Sequence, residues 1–103
     1  MFRVVHKLTP KPASRVVFEE GLRDMASMFE GAEGFVAHQL LRPRKAGDPY
    51  FAFTAWKDQE VWKAWMKTAE ARVHTDPRFA ELDQTYAEPP FEGFYDDVVM
   101  MHG

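Results

Sequence analysis

Apolar positions recur along the chain with two different periods, and these periods divide it into elements. Alternating runs rich in β-branched and aromatic side chains predict four strands, over residues 1–8, 35–42, 50–56 and 92–101. A 3.6-residue period predicts one helix between the first two strands and another between the last two. A further short helical piece is expected at residues 77–82, because Asp76-Pro77 can serve as its cap and first residue.

The first predicted helix has one apolar face. It begins after Ser14, a good N-cap residue, and ends at Gly31. Its apolar positions fall at i, i+4, i+7, i+8 and i+11: Phe18, Leu22, Met25, Ala26 and Phe29. We therefore expect this helix to lie on a sheet or on a second helix.

The second predicted helix follows Asp58, which can cap it, and its apolar stripe consists of Val61, Trp62, Trp65 and Met66. Trp65 and His74 are nine residues apart. At about 100° per residue, a straight helix would place them on opposite faces. They can share a pocket only if the helix breaks, and Thr68, which can cap a new piece, is the predicted break.

This order of elements predicts an α+β domain spanning residues 1–103, with the ferredoxin-like (split βαβ) arrangement. The sheet is expected to be antiparallel with its helices on one face. Strand alternation allows Ala52 and Thr54 to face the helices, and it then leaves Phe51 and Phe53 on the other face, together with Phe35. Such an exposed apolar face favours a partner.

Composition excludes several classes of protein. A net charge of −3 with mixed signs gives no basic surface for nucleic acid, and no apolar run is long enough to predict a membrane span. The chain has no cysteine and no secretory signal pattern at its N-terminus. A cytoplasmic protein is therefore expected.

The residues Trp56-Lys57-Asp58-x-Glu60-Val61-Trp62-x-x-Trp65, followed by His74, resemble the antibiotic-biosynthesis-monooxygenase (ABM) superfamily. Within it, the chain is most similar to the IsdG-type haem-degrading monooxygenases, which carry W-x-S-x-E-x-F-x-x-W and a histidine nine or ten residues later. The resemblance covers nearly the whole chain, since it extends upstream through Gly34-Phe35, Gln39-Leu40-Leu41-Arg42-Pro43 and Tyr50-Phe51.

This resemblance implies an enzyme that uses haem as cofactor and substrate, together with O2 and an electron donor, and releases iron. His74 would be the axial ligand of the iron, and imidazole is the commonest such ligand in proteins. Trp65 would press on the macrocycle and ruffle it. The resemblance also implies a dimeric, barrel-like assembly of two sheets. The apolar slot is expected to include Leu22, Met25, Phe29, Leu40 and Ala52.

The register of the family places His6 and His38 on the pocket side of the sheet, near Thr54. His6 stands where the family has an asparagine that hydrogen-bonds near the oxygen ligand. His6 would therefore either donate that hydrogen bond or occupy the sixth position of the iron. Arg78, four residues after His74, is the first candidate to bind the propionates, ahead of three other cations: Arg42, Arg44 and Lys45.

Two other functions remain open at this point. One is a haem carrier on the same fold, which the change to His6 favours. The other is a cofactor-free ABM oxygenase that acts on a quinol or polyketide aromatic, in which His74 is incidental. Each histidine alone is more simply explained as a partly exposed polar residue, and Trp56 and Trp62 are interpreted as core residues.

Overall fold

A computed structural model describes residues 1–75 and 82–103 of the chain, without the side chains of residues 70, 71 and 73–75. The predicted order of the four strands and the two main helices is confirmed. The strands and helices are β1 (Phe2–Leu8), α1 (Arg15–Ala26), β2 (Phe35–Leu41), β3 (Tyr50–Trp56), α2 (Gln59–Thr75) and β4 (Phe91–Asp96). Short 3₁₀ turns lie at Pro12–Ser14, Ser27–Phe29 and Leu82–Thr85.

The four strands form one antiparallel sheet in the order β2-β3-β1-β4. β1 pairs with both β3 and β4, so the first and last strands of the chain are neighbours. With one helix between β1 and β2 and another between β3 and β4, this is the predicted ferredoxin-like arrangement.

Alternation along β3 separates the two faces of the sheet as predicted. Ala52, Thr54 and Trp56 are buried, and they line a cavity on the helix side. On the opposite face the rings of Phe51 and Phe53 stack on each other with centroids 6.3 Å apart. This outer face is therefore apolar, and Phe51 is 37% exposed.

The predicted position of Phe35 on the outer face is wrong. A β-bulge between Phe35 and Ala37 sets Phe35 opposite Trp56 and Ala37 opposite Ala55. Val36 is thus an extra residue of β2 without a partner on β3. This insertion shifts the alternation by one position, so the side chain of Phe35 lies on the helix side. There its ring contacts Phe29 and Trp56, at centroid distances of 5.2 and 5.5 Å.

Gly34 allows the start of β2 to approach α2 closely. Its φ is +76°, and a Cβ at this position would lie 2.5 Å from Cγ2 of Val61. Its carbonyl oxygen accepts the N–H of Lys57 at 2.8 Å. Only glycine satisfies both the backbone conformation and the lack of space, so this position fixes α2 against the sheet.

The predicted break of the second helix at Thr68 is wrong, because α2 runs without interruption from Gln59 to Thr75. Asp58 caps it as predicted, since its Oδ1 accepts the N–H of Val61 at 3.0 Å. Beyond Thr68, Ala69 is buried against Met28. Burying this next position of the apolar stripe stabilises the continuous helix more than a new cap would.

Some predicted boundaries also differ from the structure. α1 ends at Ala26 and tightens into a 3₁₀ turn before Gly31, and the side chain of Ser14 makes no capping hydrogen bond. β4 ends at Asp96 rather than at residue 101, because Asp96 pairs with Phe2, the first residue of β1. The predicted helical piece at 77–82 lies almost entirely outside the described residues.

Within the described part of the chain, no helix combines the length and apolar character needed to cross a membrane.

Candidate functional site

A cavity of about 240 Å³ lies between the sheet and the two helices. Its walls come from β1, β2, β3 and β4, from α1 and α2, and from the segment that begins at Leu82. The lining residues are His6, Leu8, Leu22, Met25, Ala26, Phe29, His38, Leu40, Ala52, Thr54, Trp56, Trp62, Trp65, Met66, Leu82, Asp83, Tyr86 and Glu92. Six of the predicted site residues thus surround one space: His6, Leu22, Met25, His38, Thr54 and Trp65.

Strand pairing places the two histidines on the floor of the cavity. His38 on β2 is opposite Thr54 on β3, and His6 on β1 is opposite Ala52 on the same strand. Both imidazoles therefore lie on the helix side, where the family register placed them, and the small residues of β3 separate them. Because the side chains of Ala52 and Thr54 are short, the space above them, between the two imidazoles, can take a flat molecule.

His6 is not isolated in this wall. Its Nε2 lies 2.7 Å from Oε2 of Glu92, its pairing partner on β4. A carboxylate at pH 7 can only accept, so the imidazole must be the donor.

His38 lies deeper, under the ring of Phe29, with ring centroids 5.0 Å apart. Burial lowers the pKa of His38 below its usual value, and the neighbouring His6 lowers it further. Both causes disfavour the charged form. We therefore expect His38 to be neutral at pH 7, which keeps this part of the floor uncharged.

Trp65 forms the α2 wall of the cavity, and its position is fixed on several sides. Its Nε1–H donates to the carbonyl oxygen of Met28 at 3.2 Å. Its ring stacks on Phe29 with centroids 4.7 Å apart and an interplanar angle of 21°, and it contacts Trp56 at 5.3 Å. Trp56, fully buried, is the core residue that was predicted.

Trp62 is also a packing residue, as interpreted from the sequence. Its ring contacts Phe2 and Phe94 with centroids 5.4 and 5.0 Å apart, at the far end of the cavity wall. This aromatic contact joins α2 to β1 and β4.

Beside the cavity, Glu19 on α1 binds the start of β3 and the end of β2. Both Nε and Nη2 of Arg42 donate to it, at 2.6–3.1 Å, and the hydroxyl of buried Tyr50 donates to its Oε2. The hydrogen bonds from Arg42 and then Tyr50 lower the pKa of Glu19 to about 2. Arg42, considered above for the propionates, is thus engaged with a carboxylate.

A second cleft, of about 470 Å³, lies on the other side of α2 and of the turn after α1. Four carboxylates line it: Glu30, Glu33, Asp58 and Glu60. An apolar ring would remove water from these charges, which is costly. We therefore regard the 240 Å³ cavity as the site for an apolar ligand.

Two predicted residues cannot be placed by their side chains. His74 belongs to α2, but its side chain lies outside the described residues, as does the whole of Arg78. Their roles stay predictions.

Sequence reasoning missed several lining residues: Met66 as a wall of the cavity, and Asp83, Tyr86 and Glu92 altogether. Burial raises the pKa of Tyr86 to about 12, with a smaller contribution from Asp83, so its hydroxyl stays protonated. Glu92 could have been found from the sequence. It lies two residues before Phe94 on the last strand, so alternation places the two side chains on the same face, which is the helix side. Asp83 and Tyr86 carried no such periodic signal.

The fold and the site define an α+β protein with a ligand cavity between an antiparallel sheet and its helices. The model of the antibiotic biosynthesis monooxygenase family matches residues 1–76, and the chain belongs to this family. The predicted superfamily is thereby confirmed.

Among curated proteins, the chain is similar to a heme oxygenase (mycobilin-producing) of Mycobacterium tuberculosis. The two are 33% identical over 60 residues, which are 58% of this chain and 57% of that protein. The matched region thus spans little more than half the length of this relative.

Two solved structures share the fold. The heme-degrader MhuD from Mycobacterium tuberculosis, with two hemes bound in its active site, superposes with a TM-score of 0.77 and 22% identity over 99% of this chain and 100% of that one. SnoaB, a cofactor-independent oxygenase from Streptomyces nogalater, gives a TM-score of 0.72 and 24% identity over 97% and 95%.

Proposed function

We propose that the protein is an IsdG-type haem-degrading monooxygenase, which binds haem and cleaves it with O2 and an electron donor, releasing iron. The observation that carries this proposal is the cavity itself. Two imidazoles, those of His6 and His38, and the indole of Trp65 surround one largely apolar space. The similarity to a heme oxygenase in part of the sequence supports the same function.

The character of the cavity fits a flat apolar macrocycle. Leu22 and Met25 of α1, Leu40 of β2 and Ala52 of β3 line it, and the neutral His38 adds no charge. Sites for such ligands are mostly apolar with a few placed polar groups. When bound, haem would supply the iron at which O2 is activated.

Each site residue then has a proposed role. Trp65, held by its hydrogen bond and by stacking, would present a rigid surface to the macrocycle. His74 would bind the iron, and Arg78 would meet the propionates. Because α2 continues without a break from Trp65 to His74, and a helix sets residues nine apart on opposite faces, His74 would share the cavity only if the end of α2 moved when haem binds. His6 would lie on the sheet side without binding the iron, with His38 and Thr54 forming the floor beside it. Its Nε2–H, the donor expected from the sequence, is directed to Glu92 instead.

The volume of the cavity favours a second candidate function. At about 240 Å³ it is smaller than the roughly 300–1,000 Å³ usual for small-molecule sites. Haem would have to extend past the enclosed part, with its polar edge in water. A smaller aromatic ring would fit inside, so a cofactor-free oxygenase acting on a quinol or polyketide aromatic is the alternative.

Titration of the purified protein with hemin distinguishes these functions. A saturable Soret band is expected, and its loss on addition of a reductant in air, with iron release, would indicate haem degradation. A saturable band that persists under these conditions would instead indicate a carrier. No saturable band would contradict the haem proposal and leave the cofactor-free oxygenase.

A matched pair of variants ties binding to this cavity. Leu22→Trp places a large ring in the cavity and should abolish the Soret band. Val17→Trp adds the same ring on the same helix at a position that is 49% exposed, and binding should survive.

We also propose an isologous dimer formed by the outer face of the sheet. Beside Phe51, this face exposes three further apolar side chains, all on the side opposite the helices: Leu41, Phe91 and Tyr95. A patch of this kind on a small domain favours association, and one surface that pairs with itself gives twofold symmetry.

A further inference from the structure

The imidazole of His6 and the carboxylate of Glu92 form a pair inside the cavity wall. The two residues are opposite each other on β1 and β4, and their side chains meet at 2.7 Å between Nε2 and Oε2. Both line the cavity, with His6 32% and Glu92 42% exposed. β4 is an edge strand, so Glu92 approaches His6 from the open side of the sheet.

This pair determines which ring nitrogen of His6 is free. An ionised carboxylate has no proton to donate, so Nε2 must carry the hydrogen of this bond. Nδ1 makes no hydrogen bond with any residue in the described ranges. Nδ1 is also adjacent to the carbon that joins the ring to Cβ, so it reaches less far from the strand than Nε2 does. The nitrogen best placed to reach an iron is therefore the one that Glu92 holds.

We propose that Glu92 is a positioning residue for His6, which engages Nε2 and so keeps this imidazole from binding the iron of haem. The inference rests on the proposed function, in which His6 must leave the sheet-side position of the iron open. A group that orients an imidazole through its other nitrogen is a common device in proteins. Here the hydrogen bond to Glu92 would prevent the His6 imidazole from binding the iron.

The other polar groups around the cavity do not replace Glu92 in this role. His38, Asp83 and Tyr86 line the same space, but none of them is hydrogen-bonded to His6. His38 is kept neutral by burial, and Tyr86 stays protonated. Among the described residues, Glu92 alone accepts from His6.

The first test uses the protein without haem. In ¹⁵N-labelled protein, the Nε2 proton of His6 should be protected from exchange and visible, because it is held in a hydrogen bond. Glu92→Ala and His6→Asn should both remove this signal. Asp96→Ala, which removes a carboxylate from the same strand and the same face, should leave it unchanged.

The second test uses bound ferric haem. Glu92→Ala should convert its spectrum to that of six-coordinate low-spin iron, since the released His6 can now bind. Haem degradation should fall by about 10-fold or more. The double variant His6→Asn/Glu92→Ala should return to the wild-type spin state, because it has no imidazole left on the sheet side to bind the iron. If Glu92→Ala does not fold, Glu92→Gln keeps the side-chain volume and should show the same changes in part.

The outcomes separate this inference from the proposed function. A wild-type protein that does not bind haem contradicts both. A haem-binding Glu92→Ala protein with the wild-type spin state and activity overturns the role of Glu92 alone. Retention of the His6 proton signal in Glu92→Ala would overturn it as well, without reference to haem.

Discussion

The indole N–H of Trp65 donates to the backbone carbonyl of Met28 across 3.2 Å, which joins α2 to the turn that follows α1. The hydrogen bond crosses 37 positions of sequence and fixes the ring plane that stacks on Phe29. A tryptophan held in this way cannot readily rotate away from a ligand. The wall of the cavity is therefore rigid where we expect the macrocycle to press.

Trp65→Phe removes the hydrogen bond but retains a ring. We expect a loss of stability of about 1 kcal/mol from the hydrogen bond, plus a further loss from the smaller ring. Haem binding should remain largely intact, whereas turnover should slow, because a smaller and freer ring presses less on the macrocycle. Chemical denaturation, hemin titration and single-turnover kinetics measure these three effects. Unchanged turnover would contradict the role of Trp65.

His74→Ala should weaken haem binding and change the spectrum of the iron, because it removes the proposed axial imidazole. His102→Ala is the matched control, since His102 is exposed near the C-terminus. Hemin titration followed by absorption spectroscopy measures both properties. The same affinity and spectrum in His74→Ala as in the wild type would show that His74 does not bind the iron.

Glu19 should make stability depend on pH in the acid range. Its pKa is lowered from 4.5 to about 2 in the folded protein. The unfolded chain therefore takes up the proton first, and the stabilisation is present above pH 4.5 and lost as the pH falls toward 2. We expect Glu19 to contribute about 1–2 kcal/mol to the free energy of unfolding at neutral pH. The contribution is this small because solvent screens the charge of the exposed Arg42.

Denaturation curves of the wild type and Glu19→Gln at several pH values test this expectation. The two should differ at pH 6, and the difference should shrink below pH 4.5 and disappear as the pH approaches 2. Glu20→Gln, an exposed neighbour on the same helix, should follow the wild type throughout. A constant difference between wild type and Glu19→Gln at all pH values would contradict the assigned pKa.

Phe53→Asp should dissociate or unfold the proposed dimer, because it places a charge in the centre of the outer sheet face. Light scattering at micromolar concentration should give a dimer for the wild type. Val16→Asp on α1, where the side chain is 72% exposed, should remain dimeric. A well-folded wild-type monomer would refute the proposal.

Periodicity determined the order of the elements, and together with the family resemblance it determined most of the cavity floor. A strand has only two faces, so placing Ala52 and Thr54 on one of them is a choice between two registers. The resemblance to the family resolved that choice and brought His6 and His38 to the same side. Asp58 was predictable as a cap because capping depends on residues three positions apart.

Contacts between distant segments decided the rest. The bulge that turns Phe35 inward depends on the pairing of β2 with β3, and the continuity of α2 past Thr68 depends on burial of Ala69 against Met28. The pairing of β1 with β4 brings Glu92 to His6 across 86 positions of sequence. Local patterns determine elements and faces, because they depend on near neighbours. Which side chain meets His6 depends on how the strands are ordered in space, and only the tertiary structure decides that.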